Sequence, residues 1–122
     1  MSLDIQHLTD ADQLDALLGE STRRPVLIFK HSRSCGTSAQ AFDELQDHLA
    51  QGGSEARYAV LTVQTHRSLS AHVATRLGVR HETPQALLVM DGRVVWQASH
   101  YRVTADTIAK AIASHLVAAG QD

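Results

Sequence analysis

The chain has one cysteine, Cys35, in 122 residues. It can close no internal disulfide, so any disulfide it forms joins it to another molecule. Aromatic residues supply only 4% of the sequence, and the net charge is −2 with both signs spread along the chain. A base-stacking surface and a phosphate-tracking basic stripe are both missing, so no nucleic acid is expected as a partner. No apolar run is long enough to span a bilayer. The opening residues Met1–Gln6 lack a basic segment followed by an apolar one, so neither a membrane partner nor a secretory route is expected, and the cytoplasm is the default compartment. The eight histidines are scattered, and no two stand four apart. Without a second cysteine they offer no closed four-ligand zinc set, so no metal site is expected.

What is present reads as one domain over residues 1–122. The apolar fraction of 43% is enough for a single core. Thr9-Asp10 looks like a helix cap ahead of Leu14, Leu17 and Leu18, with Gly19 as the stop. Pro25 introduces an apolar run, Val26–Phe29, that reads as a buried strand. A helix follows from about Cys35 to about Gln51, ended by Gly52-Gly53-Ser54. Tyr58–Val63 is a second strand, Gln64–His66 a loop, and Leu69, Val73 and Leu77 mark a third helix that ends at Gly78. Gln85–Met90 and Arg93–Gln97 flank Asp91-Gly92, the pair preferred where a hairpin turn needs positive φ at both central positions. After a loop at Ser99–Arg102, Thr104 caps a last helix whose buried face is Ile108, Ile112 and Leu116, with Gly120 at its end. His48, His72 and His115 fall on helices and read as solvated, and Trp96 reads as a sheet-packing residue. The order is α-β-α-β-α-β-β-α. It predicts an α/β fold of three layers, α/β/α, around a central four-stranded mixed sheet. The first βαβ unit is parallel, and the later hairpin adds antiparallel strands.

In this order Cys35 sits where the first central strand gives way to a helix. The first N–H groups of a helix have no intrahelical partner and the dipole favours negative charge, so a thiol there ionises readily. The alternative is a buried cysteine acting as a small hydrophobe. Its neighbours Ser34, Gly36, Thr37 and Ser38 are small and polar, unlike the lining of a core. In Cys35-Gly36-Thr37-Ser38, a dithiol enzyme would have its second cysteine at Ser38. Serine cannot close a disulfide, but one helical turn lets its hydroxyl donate to the Cys35 thiolate. The chemistry is then monothiol. Cys35 attacks a mixed disulfide, takes over a small-thiol adduct, and relies on an outside thiol for regeneration.

The element order, the thiol at the first central strand–helix turn, and Thr83-Pro84 just before the third strand together resemble the thioredoxin fold. That resemblance implies a cis-proline loop beside the cysteine. Four further stretches carry a narrower resemblance: Phe29-Lys30-His31-Ser32, Cys35-Gly36-Thr37-Ser38, Gly78–Gln85 and Asp91–Trp96 with Ser99-His100. Together they are similar to the monothiol bacilliredoxins of the bacillithiol system, over roughly residues 9 to 118. The resemblance implies removal of bacillithiol from S-bacillithiolated proteins, with a low-molecular-weight thiol as second partner. Bacillithiol is then a co-substrate, and no tightly bound cofactor is implied. Cys35 is the nucleophile and Ser38 its anion partner. Lys30, His31, Thr37, Arg80, His81, Thr83 and Pro84 are candidate substrate contacts, the cations among them suited to the malate of bacillithiol. Gly36 and Thr37 stand where that family usually has a proline and an apolar residue, which bears on substrate preference.

Two other readings stand beside it. Cys-Gly-Thr-Ser differs by one residue from the Cys-Gly-Phe-Ser of monothiol glutaredoxins, whose single cysteine holds an iron–sulfur cluster bridging two chains. A non-catalytic thioredoxin-like adaptor with a passive thiol is the other.

Overall fold

The computed structural model describes residues 5–120. Nine regular elements run in the order β1 (Ile5–His7), α1 (Ala11–Glu20), β2 (Val26–His31), α2 (Gly36–Ala50), β3 (Arg57–Thr62), α3 (Arg67–Leu77), β4 (Gln85–Met90), β5 (Arg93–Ser99) and α4 (Ala105–Gly120). A single 3-10 turn, His100–Arg102, joins β5 to α4. The sheet has five strands in the order β1-β3-β2-β4-β5, one more than the four expected. The extra strand is β1, parallel to β3 at its edge. Three residues are too few to show a period of two, so nothing in their composition marks them as a strand.

Period-two alternation along β2 builds both cores. Leu27 and Phe29 point to one face, where α2 and α4 cover them with Ala41, Leu45, Ile108 and Ile112. Val26 and Ile28 point to the other, against Leu14 and Leu17 of α1 and Leu69 and Val73 of α3. Each fully buried Leu, Ile or Phe contributes roughly 1.5–3 kcal/mol of apolar transfer, so neither face can be left uncovered. The three-layer α/β/α arrangement follows.

Local signals set the element ends. The Asp10 carboxylate accepts from the Gln13 N–H at 2.9 Å and caps α1. This helix runs one residue past Gly19, to Glu20. Gly78 adopts φ 66° as the left-handed cap of α3, and Asp91 and Gly92 have φ 53° and 72° in the β4–β5 turn. The Thr104 hydroxyl accepts from the Thr107 N–H at 3.1 Å at the start of α4. Trp96 packs partly buried against the α2–α4 core. No helix among the described residues is long and apolar enough to cross a membrane.

One histidine departs from expectation. His48 is buried, and its Nε2 lies 2.7 Å from the Tyr58 hydroxyl. It continues the Ala41–Leu45 stripe at the next helical step, so it faces the core. His72 is exposed, whereas His115 is half-buried and donates from Nδ1 to the Ala111 carbonyl at 2.7 Å.

Candidate active site

The carboxyl end of β2 and the amino end of α2 meet at Cys35. Cys35 has extended backbone, φ −114° and ψ 123°, as the N-cap of α2, with no side-chain capping bond. Its carbonyl accepts from the Ala39 N–H at 3.1 Å, the first bond of the helix. The thiol is half-buried. Its pKa is held below the ordinary value, chiefly by the Ser38 backbone N–H. Desolvation opposes this, and the Thr37 backbone N–H and hydroxyl reinforce it. The two N–H groups belong to the first helical turn, where main-chain donors have no intrahelical partner. A Cβ at Gly36 would meet nothing within 4 Å, so the space on that side of the helix end is open.

Ser38 occupies the predicted position, with its hydroxyl set between Ser32 and His31. Its side chain is fully buried. The hydroxyl oxygen accepts from the Ser32 N–H at 2.8 Å and lies 2.8 Å from His31 Nδ1. A hydroxyl has a single hydrogen. With His31 neutral and protonated on Nε2, that hydrogen goes to Nδ1, and the donor that residue 38 offers the anion is its main-chain N–H. Burial, aided by the Arg33 charge, lowers the His31 pKa and favours this neutral form. The ring is held from its faces as well, stacked on Phe42 at 5.0 Å and Phe29 at 5.8 Å between centroids.

Lys30 follows the other parity of β2 and enters the α1–α3 side. It is fully buried. Its Nζ lies 2.6 Å from His81 Nδ1, which also lies 3.2 Å from the Ser70 hydroxyl. A charged ammonium only donates, so Nδ1 is the acceptor and Nε2 carries the ring proton. Burial lowers the Lys30 pKa to about 8. Burial, followed by the Lys30 charge, lowers that of His81. Arg80 is exposed, and its carbonyl accepts from Gln85 Nε2 at 3.0 Å.

The Thr83–Pro84 peptide bond is cis. Lys30 pairs with Gln85 across β2 and β4, so Pro84 stands at the same sheet end as His31. The Pro84 carbonyl accepts from the His100 N–H at 3.0 Å. The candidate residues therefore divide. Cys35, Thr37, Ser38 and His31 form one cluster at the α2 end. Lys30 and His81 form another on the opposite face of β2, with Thr83 and Pro84 following on the segment that enters β4.

Gln64, in the loop after β3, takes part in the site although its residue type and position carry no motif. Its Oε1 accepts from the Arg33 N–H at 3.1 Å, and its Nε2 donates to the Ser32 and Ser34 hydroxyls at 2.7 and 3.0 Å. It ties the cysteine loop to the end of β3. The available signal was topological: β2 and β3 are parallel neighbours, so the loops that leave them lie side by side. Tyr101 approaches from the His100–Arg102 turn. It is 74% exposed, and its hydroxyl stands 3.5 Å from that of Thr37.

Comparison with known proteins agrees with this geometry. The sequence matches the family described as monothiol bacilliredoxin BrxC over residues 6–108. Among solved structures, a proposed oxidoreductase with a thioredoxin fold is 31% identical, with a TM-score of 0.78 over 88% of this chain and 92% of that one. The thioredoxin of Fasciola hepatica is 20% identical, with a TM-score of 0.73 over 91% of this chain and 99% of that one. A poplar thioredoxin h mutant is 20% identical, with a TM-score of 0.72 over 93% of this chain and 84% of that one. The last two bear on the fold alone. The fold is thioredoxin-like, and thiol oxidoreductase chemistry goes with it.

Proposed function

Because the chain belongs to the monothiol bacilliredoxin family, we propose that it removes bacillithiol from S-bacillithiolated proteins through a mixed disulfide on Cys35. The observation that carries this reading is a half-buried thiol, with lowered pKa, at the amino end of α2 in a chain without a second cysteine. The Cys35 thiolate attacks the bacillithiol sulfur of the mixed disulfide. The Cys35–bacillithiol bond forms as the substrate–bacillithiol bond breaks, and the substrate cysteine leaves as a thiolate that takes a proton from water. A second low-molecular-weight thiol, as its thiolate, then attacks the bacillithiol sulfur and releases Cys35. Each step is an exchange, with no net oxidation.

The other residues divide the work. The Ser38 and Thr37 N–H groups stabilise the anion. The Ser38 hydroxyl fixes Ser32 and His31, and so the shape of the loop. The backbone of Thr83, which makes no hydrogen bond among the described residues, pairs with an extended substrate segment, with Pro84 packed behind it. Arg80 and His81 supply donor groups for an anionic adduct, with the buried Lys30 ammonium behind His81. The reaction suits the cytoplasm, where thiols are kept reduced.

The test is intact mass. Incubation with a bacillithiolated protein should move the adduct mass onto Cys35, and Cys35→Ser should abolish the transfer. Equal removal by the serine variant would sink the mechanism.

A further inference from the structure

A cleft of about 740 Å³ opens beside the cysteine loop. Ser34, the residue before the thiol, forms one wall. Gln64, Arg67, Ser70 and His81 line it further, with small apolar side chains of α3 as its floor. Among the described residues no Asp or Glu lines it. Arg67 is exposed and makes no ion pair among the described residues. Behind His81 lies Lys30, fully buried and likewise without a carboxylate partner there. The wall is mainly apolar, from Val63, Ala71 and Ala74, and Arg67 is the charged side chain set into it beside a few hydroxyl and amide groups. That lining fits a ligand that packs its body on apolar surface and presents an anionic group to Arg67, and the volume is that of a small-molecule site. The recess on the other side of the molecule's active end differs. It is about 520 Å³, carries both signs of charge in Glu82 and Arg102, and is bordered by the exposed Tyr101 ring.

We propose that the cleft between the cysteine loop and α3 holds the non-sulfur end of the small-thiol adduct, an anionic polyhydroxyl group such as the sugar–malate portion of bacillithiol, and that Arg67 is the specificity-determining residue that binds its carboxylate. The inference rests on the reading that Cys35 takes over a bacillithiol adduct. Guanidinium is the side chain best matched to a carboxylate, through two parallel charge-assisted bonds. Gln64 and Ser70 line the same space, and with their hydrogens engaged inside the protein each keeps an oxygen lone pair that can accept from a sugar hydroxyl. Gln64 also holds Ser34, so an occupied cleft is coupled to the position of the cysteine loop.

The experiment compares two adducts on one carrier protein: bacillithiol, and β-mercaptoethanol, which is uncharged. The readout is the ratio of transfer rates to Cys35. Arg67→Glu should lower the ratio about tenfold or more, the scale of a hydrogen bond to a charged group. Arg67→Lys should restore part of it, and Arg76→Glu, on the same helix but outside the cleft, should leave it unchanged. A purely structural role for Arg67 would slow both adducts alike. A ratio unchanged in Arg67→Glu, while the wild type still removes bacillithiol, overturns the cleft assignment and leaves the proposed function standing. A thiol-free probe, glucosaminyl malate, separates the converse case by NMR. Shifts of the Gln64, Arg67 and Ser70 amides that vanish in Arg67→Glu support the cleft even if no transfer occurs, and their absence in the wild type overturns it.

Discussion

The Lys30 ammonium and the His81 ring meet at 2.6 Å although 51 residues separate them in sequence. They join the buried end of β2 to the segment that leads into β4. A lysine that keeps its charge in the core loses hydration that a neutral imidazole replaces only in part. Burial lowers its pKa from 10.5 to about 8. Between those values the unfolded chain holds a proton that the folded chain has released, so stability rises with pH across this window and is flat below it on this account. The gain should be on the order of 3 kcal/mol. Lys30→Met should remove that rise and stabilise the protein at neutral pH by a similar amount, since an apolar chain of like length replaces a buried charge. Urea unfolding across the alkaline range gives both quantities, and a wild-type slope that survives in the variant refutes the assignment.

Ser38 holds the cysteine loop through the Ser32 N–H. Ser38→Ala leaves that N–H buried without a partner and should cost about 1–3 kcal/mol of stability. The Cys35 pKa should change little, because its donors are the main-chain N–H groups and Thr37. Denaturant midpoints and the pH profile of Cys35 alkylation separate the two effects. A large rise in thiol pKa without loss of stability would restore a direct hydroxyl–thiolate bond.

Most of this arrangement could be read from residue order. Asp91-Gly92, Gly78 and Thr104 each require a particular backbone state, and each stands where that state occurs. The placement of Cys35 at the α2 end was legible because an apolar run stops and a helical stripe starts around it. The strand β1 was not, since its pairing is with β3, about fifty residues on, and three residues hold no pattern of their own. His48 was misassigned by residue type. The spacing Ala41, Leu45, His48 already put it on the buried stripe. The Ser38 hydroxyl could not be read at all. Its direction is decided by Ser32 and His31, whose approach depends on how the loop closes. The opposite destinations of Lys30 and His31 follow from strand alternation. The partners they find there come from other elements.

Thr37 is the one side chain among the groups that lower the Cys35 pKa. Thr37→Val keeps the shape and the backbone N–H but removes the hydroxyl. The thiol pKa should rise, the thiolate fraction at neutral pH should fall, and alkylation and adduct transfer should slow together. Iodoacetamide rates against pH, with mass spectrometry of the transfer, test this. An unchanged titration would leave the helix N–H groups as the sole source of the shift.

The buried chain Ser54–Tyr58–His48 predicts a separate response to acid. Tyr58 OH lies 2.7 Å from both Ser54 Oγ and His48 Nε2. Ser54 Oγ in turn accepts from the Ala56 N–H at 3.1 Å, so the bonds run from His48 near the end of α2, through Tyr58 of β3, to the loop between them. Burial lowers the His48 pKa below its model-peptide value of 6.5. Below that value the unfolded chain takes up a proton that the folded chain resists, so stability falls as pH drops through the window. His31 and His81 are shifted in the same direction and add to the slope. His48→Gln keeps a polar group opposite Tyr58 but does not titrate. It should cost about 1–2 kcal/mol near neutral pH through poorer hydrogen-bond geometry. It should also show a shallower loss of stability than the wild type between about pH 7 and about pH 5. Urea midpoints at those two pH values decide it: a variant slope equal to that of the wild type would assign the acid sensitivity to His31 and His81 alone.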